Sequence, residues 1–236
     1  MQTIRETTTS FRNQAQRPGE FFKKLSPAAL RDLESMEFPT PYQPGMLLFS
    51  EKSTPAGIFI VVSGEVKLSI NSSDGKRLIL SIAKAGEVLG LSSALSGLPS
   101  EMTAEVLYAS RIAIIERDQF LAFMSRHPEV YQVVTQELSL QYKVACEQLR
   151  TVALSGSAPE KLARLLLDWS ESGQKTEAGT RVRFSLTHEE IGEFIGASRE
   201  TVTRTLSSFK SRRLVAFHGS MLTIPSKGAL ESLAGI

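Results

Sequence analysis

The chain has 236 residues, 42% of them hydrophobic, with 27 Lys and Arg against 25 Asp and Glu and one cysteine. That length allows two compact domains with real cores, and the net charge of +2 assigns no partner by itself. One thiol excludes an internal disulfide and an iron–sulfur cluster, which needs about four thiolates. No run approaches the ~20 apolar residues of a membrane span, and the opening MQTIRETTTS lacks an apolar secretory core. The expectation is a cytoplasmic protein with no membrane partner.

In chain order, residues 1–20 are polar and read as a flexible tail. Residues 21–36 read as a short helix with Ser26 and Pro27 as a cap and first-turn pair. The period then shortens. Runs at 46–49, 57–62, 65–70, 77–82 and 111–116 are β-branched or aromatic, separated by Pro44-Gly45, Ser63-Gly64, Asp74-Gly75 and Ala85-Gly86. Many short strands with glycine turns predict an antiparallel roll over 21–117. No histidine lies in these strands, so the metal-ligand set of a barrel enzyme is missing and no enzymatic activity is expected.

After Asp118 the period lengthens. Tyr131, Val134, Leu138, Tyr142, Ala145, Leu149 and Val152 recur at spacings of 3 and 4, predicting a long helix in the segment 118–154. Its apolar seam faces either its own roll or the same helix of a second copy. Cys146 on this helix reads as a thiol switch or as a small buried residue, and His127 as a ligand or as a solvent-facing loop residue. Residues 154–158 (LSGSA) read as a hinge. The domain 155–236 follows, its opening helix running through Leu162, Leu165, Leu166 and Trp169.

The segment 187–210, THEEIGEFIGASRETVTRTLSSFK, carries the most specific signal. Thr187 with Glu190 three residues later forms a capping box. Ile191, Phe194 and Ile195 keep helical spacing, and Gly192 and Gly196 permit close packing and a turn. Ser198 caps a second helix whose Val202, Leu206 and Phe209 make one buried stripe. Arg199, Glu200, Thr203 and Arg204 fall on the opposite face. An arginine fork suits guanine O6 and N7, and a glutamate accepts from cytosine N4; the alternative is a Glu200–Arg204 surface ion pair worth about 0.3–0.5 kcal/mol. Between residues 196 and 228 six cations face one anion, the local excess that phosphate contact needs. The alternation in 181–186 and the runs in 214–224 around His218-Gly219 predict a wing, with His218 and Lys227 either near a DNA backbone or simply exposed.

SRETVTR (198–204) and LTHEEIGEFIG (186–196) resemble the recognition helix, first helix and turn of the cyclic-AMP receptor protein and fumarate-nitrate regulator family of bacterial transcription factors. PGMLLF, IFIVVSGEVKL and DGKRLIL resemble that family's cyclic-nucleotide-binding roll. The resemblance implies an α+β protein with an N-terminal antiparallel β-roll, a dimerisation helix and a C-terminal winged helix-turn-helix. It further implies a homodimer on double-stranded DNA, reading helices about 34–36 Å apart, and RNA polymerase as a partner. Arg199, Glu200 and Arg204 would read bases, with Ser198 and Thr201 near phosphates; Thr205 stands where the family usually has an apolar residue.

The family's nucleotide site uses a glutamate after a glycine for the ribose and an Arg-Ser or Arg-Thr pair for the phosphate. Here Gly90 is followed by Leu91 and Ser92, Met102 precedes Thr103, and no Lys or Arg lies between Lys84 and Arg111. Gly90, Leu91, Ser92, Met102 and Thr103 are thus effector-pocket candidates without the charge-assisted bonds a cyclic phosphate requires. The expected effector is a less anionic small molecule, or there is none, and no cofactor is specified. The alternative function is a nucleotide-sensing signalling module that does not act through DNA.

Overall fold

The computed structural model describes residues 19–154, 156–184 and 186–235. The expected tail lies outside the described residues up to 18, as does Ser155 of the expected hinge. The single helix expected over 21–36 is two: α1 (Glu20–Lys23) and α2 (Pro27–Met36). Proline disfavours helical geometry in the residue before it. Ser26 accordingly adopts extended backbone, and its hydroxyl caps α2 by accepting from the Ala29 amide at 3.2 Å.

Strands β1 (Thr40–Tyr42), β2 (Leu47–Phe49), β3 (Gly57–Asn71), β4 (Arg77–Lys84) and β5 (Val88–Leu89) precede helix α3 (Leu91–Ser96) and strand β6 (Thr103–Glu116). The sheet order is β1-β6-β3-β4, with β2 also on β6 and β5 on β3. Ser63-Gly64 is therefore not the expected turn. β3 runs through it for 15 residues, and β6 pairs antiparallel with both halves across register shifts from Val61 to Val66. Gly64 sits at φ +91°, and a Cβ there would lie 2.1 Å from Ser110 Oγ on the neighbouring strand. The glycine makes bulges in a continuous strand. Asp74-Gly75, by contrast, does turn the chain: the Ser72 amide donates to the Lys76 carbonyl at 2.8 Å, with Gly75 at φ +82°.

The segment 118–154 divides at His127-Pro128. Helix α4 (Arg117–Arg126) ends there and α5 (Val130–Leu154) begins beyond. α4 is a core helix of the roll rather than part of a dimerisation helix: Phe120, Phe123 and Met124 are fully buried in one cluster with Phe21, Leu33, Leu91 and Val134. The α5 seam also splits. Of its residues Val134 is buried in that cluster, beside Val130 and Val133, and Leu138 packs against it, whereas Tyr131, Tyr142 and Leu149 are 49%, 74% and 54% exposed.

The described residues form two compact units, one of those up to Ile70 with Ser81–Lys143, the other of Asn71–Leu80 with those from Val144 onward. The boundary thus falls inside α5, ahead of the expected hinge. The second unit contains α6 (Ala158–Ser170), β7 (Gln174–Thr176), β8 (Gly179–Arg183), α7 (His188–Ile195), α8 (Arg199–Ser211), β9 (Ala216–His218), β10 (Met221–Ile224) and α9 (Lys227–Ala234). Leu162, Leu165, Leu166 and Trp169 are buried as expected. The Trp169 indole N–H donates to the Arg183 carbonyl at 2.9 Å, pinning α6 beside the sheet β7-β8-β10-β9. No helix among the described residues is long and apolar enough to cross a membrane.

Candidate nucleic-acid interface

Local chemistry sets α7, the turn and α8. The Thr187 hydroxyl accepts from the Glu190 amide at 3.1 Å, and the Glu190 carboxylate accepts from the Thr187 amide at 3.0 Å. This reciprocal cap satisfies two amides that a helix start leaves unpaired. α7 ends at Gly196 in the left-handed region, φ +65°, and the Ala197 amide closes onto the Gly192 carbonyl at 2.9 Å. A Cβ on Gly192 would lie 2.5 Å from the Ala197 carbonyl oxygen, so the turn needs glycine there. Ser198 then caps α8 by accepting from the Thr201 amide at 3.2 Å.

Val202, Leu206 and Phe209 are buried on one side of α8. Thr205, in an apolar setting, is also buried, and its hydroxyl donates to the Thr201 carbonyl at 2.8 Å, so no polar group is left unsatisfied. Ser198, Arg199, Glu200, Thr203 and Arg204 are exposed and Thr201 is half-buried. Among the described residues Arg199 and Arg204 form no salt bridge, so the anticipated Glu200–Arg204 pair is absent. Hydrogen bonds from its own main-chain N–H and from Ser198, with Arg199 nearby, hold the Glu200 carboxyl below the usual carboxylate range. It is an acceptor flanked by two donor forks.

The wing strands β9 and β10 pair antiparallel, Met221 opposite His218, and His218 is exposed. Lys227 does not project freely: its ammonium lies 2.7 Å from Glu171 Oε1. Lys210 stacks over the Phe217 ring at 4.9 Å.

The five effector-pocket candidates are taken up by core packing and by bonds within the chain. Gly90 adopts φ +79° as the cap of α3, where a Cβ would press on the Gly57 carbonyl at 2.9 Å. Leu91, next to it, is a core residue of the Phe21–Phe120 cluster rather than a pocket wall. Met102 packs instead against the separate cluster of Phe49, Phe59 and Val66. The Ser92 hydroxyl donates to Glu101 Oε1 at 3.1 Å. The Thr103 hydroxyl accepts from the Glu51 amide at 3.0 Å. The Ser92 hydroxyl thus gives its proton within the chain, and the carboxylate of Glu101 makes the cassette more anionic. The helix α3 beside them escaped the sequence reading because its six residues are too few to show a period.

Residues 39–127 match the cyclic nucleotide-binding domain and residues 160–233 the Crp-like helix-turn-helix domain. The chain is 26% identical over 214 residues to the CRP-like cAMP-activated global transcriptional regulator of Mycobacterium tuberculosis, covering 90% of this chain and 95% of that protein. It is 25% identical over 196 residues to the fumarate and nitrate reduction regulatory protein of Yersinia pestis, covering 83% and 78%. Among solved structures it resembles FixK2 from Bradyrhizobium japonicum, with a TM-score of 0.74 at 21% identity over 84% of this chain and 96% of that one. A nucleotide-binding-type roll followed by this helix-turn-helix, together with full-length relatives of the same order, places the chain in the CRP/FNR family of transcription regulators.

Proposed function

We propose that this protein is a homodimeric, sequence-specific regulator that reads double-stranded DNA through α8. The observation that carries this reading is the exposed face on which Arg199 and Arg204, without a salt bridge among the described residues, flank the ionised Glu200. Arg199, Glu200, Thr203 and Arg204 face base edges in the major groove, and Ser198 and Thr201 at the helix start bind phosphate. The uncovered apolar half of α5 is the dimer seam, which sets two reading helices one helical turn of DNA apart. RNA polymerase is the partner expected of such a regulator, and the site of action is the cytoplasm.

The relative from Mycobacterium tuberculosis is named as cAMP-activated. The roll of this chain is built for a different input. Leu91 is core, Met102 precedes Thr103, and Glu101 is bonded to Ser92, so a cyclic phosphate would meet a carboxylate and no cation from the segment between Lys84 and Arg111. A less anionic effector, or none, fits these residues. If an effector does act, linkage requires it to tighten DNA binding by the same factor by which DNA tightens the effector.

The test is selection of duplexes from a random library with the purified full chain, followed by affinity measurements against salt. A regulator of this kind enriches an inverted-repeat sequence and loses affinity steeply as salt rises. Equal binding to all sequences, or none at low salt, would refute the reading.

A further inference from the structure

Thr203 lies in the middle of the exposed α8 face, one turn after Arg199. Its hydroxyl oxygen is 2.9 Å from the Arg199 carbonyl and 2.8 Å from Nδ1 of His188, the first residue of α7. A threonine hydroxyl carries one proton. The carbonyl can only accept, so it takes that proton, and the second bond must then be donated by the imidazole N–H at Nδ1. The hydroxyl is left with no proton to offer a base. With the oxygen turned back onto the protein, the part of Thr203 left for an approaching base pair is its γ-methyl. The imidazole is held in place from behind, because the Thr187–Glu190 capping box fixes the backbone on which it stands.

We infer that His188 is a specificity-setting residue of the DNA interface: by engaging the Thr203 hydroxyl it makes Thr203 read through its methyl group, which favours the C5-methyl of thymine over the polar edges of other bases. The inference rests on α8 being the base-reading element. His188 acts through Thr203 and is a positioning residue. Elsewhere in α8 the same economy recurs, since the Thr205 and Ser207 hydroxyls also donate to carbonyls one turn back; only Thr203 has in addition a donor from another helix among the described bonds.

The experiment compares base preference at every position of the selected duplex for the full-length wild type, Thr203→Val, Thr203→Ser, His188→Ala and the double variant, with thermal melts to verify folding. Thr203→Val keeps both methyl bulk and shape, so it retains the preferred sequence and binds within about twofold. Thr203→Ser loses about fourfold of thymine discrimination at one base pair, the worth of one buried methyl. His188→Ala frees an acceptor lone pair of the hydroxyl, whose proton stays on the Arg199 carbonyl, and so changes preference at that same base pair toward bases with a donor; adding Thr203→Val restores it. The inference is overturned if Thr203→Val alone changes the preferred base, which would mean that the hydroxyl reads. It is equally overturned if His188→Ala weakens binding alike on all sequences, which would mean that the imidazole meets phosphate. A wild type with no sequence preference would overturn the DNA reading itself, an outcome distinct from a selective wild type whose variants stay unaltered.

Discussion

The side-chain amide of Gln148 donates to the Phe194 carbonyl at 2.6 Å, tying the last part of α5 to the end of α7. The same Nε2 reaches the Ile79 carbonyl at 2.8 Å, and the side chain is only 7% exposed. A buried amide with both bonds made fixes geometry more than it adds stability, because losing it strands carbonyls that water cannot reach.

Gln148→Leu is therefore expected to lower unfolding free energy by about 2–6 kcal/mol, at about 1–3 kcal/mol for each of the two stranded carbonyls. Urea unfolding of the full chain measures it. A change below about 0.5 kcal/mol, typical of a surface site, would show that neither bond matters.

Substitutions at Arg199 and Arg212 test the proposed division between base reading and phosphate binding. Arg199→Ala is expected to cost about 1–3 kcal/mol on the selected duplex and to relax preference at one base pair. Arg212, exposed just past the end of α8, is expected on substitution by Ala to weaken binding evenly across sequences and to reduce the salt slope by about 1. Titrations at several salt concentrations distinguish the two patterns, and their reversal would exchange the roles.

Leu149, half-exposed on α5, reports on the proposed dimer seam. Leu149→Glu puts a charge on both sides of a two-fold contact, so the dimer dissociation constant should rise at least about tenfold. Sedimentation over a concentration series reads this directly. An unchanged dimer would move the contact to another face.

Glu37 caps the end of α2 with both carboxylate oxygens buried and without a hydrogen-bond partner among the described residues. Burial, reinforced by Glu34 nearby, pushes its pKa up to about 8. The unfolded chain releases this proton near the ordinary value of 4.5. The protonated group thus favours the fold fully below 4.5, and that contribution fades as pH rises toward 8, by up to about 1.4 kcal/mol per pH unit. Denaturant unfolding of Glu37→Gln between pH 5 and 8 should show a flatter slope than wild type and greater relative stability at the upper end. A parallel slope would place the ionising group elsewhere.

The reading segment was legible because its determinants are local. The caps at Thr187 and Ser198, the left-handed Gly196 and the stripe of Val202, Leu206 and Phe209 all act within a few residues. β3 was not legible as one strand, since Ser63-Gly64 turns or bulges depending on whether a strand lies alongside, and β6 lies about 45 residues away in the chain. The five pocket candidates share one stretch of sequence, yet the fold sends Leu91 and Met102 into different clusters.

By itself the sequence determined the periodic elements, their caps, the exposed face of Arg199, Glu200, Thr203 and Arg204, and the absence of cations from the roll's cassette. These follow from side-chain chemistry and from helical spacing of 3.6 residues, which need no partner element. Only the tertiary structure decided that Lys227 belongs to Glu171, that Leu91 is core, that half of the α5 seam is covered, and that His188 occupies the hydroxyl of Thr203. Each of these depends on elements distant in sequence meeting in space, and a pairwise contact of that kind leaves no period in the chain that makes it.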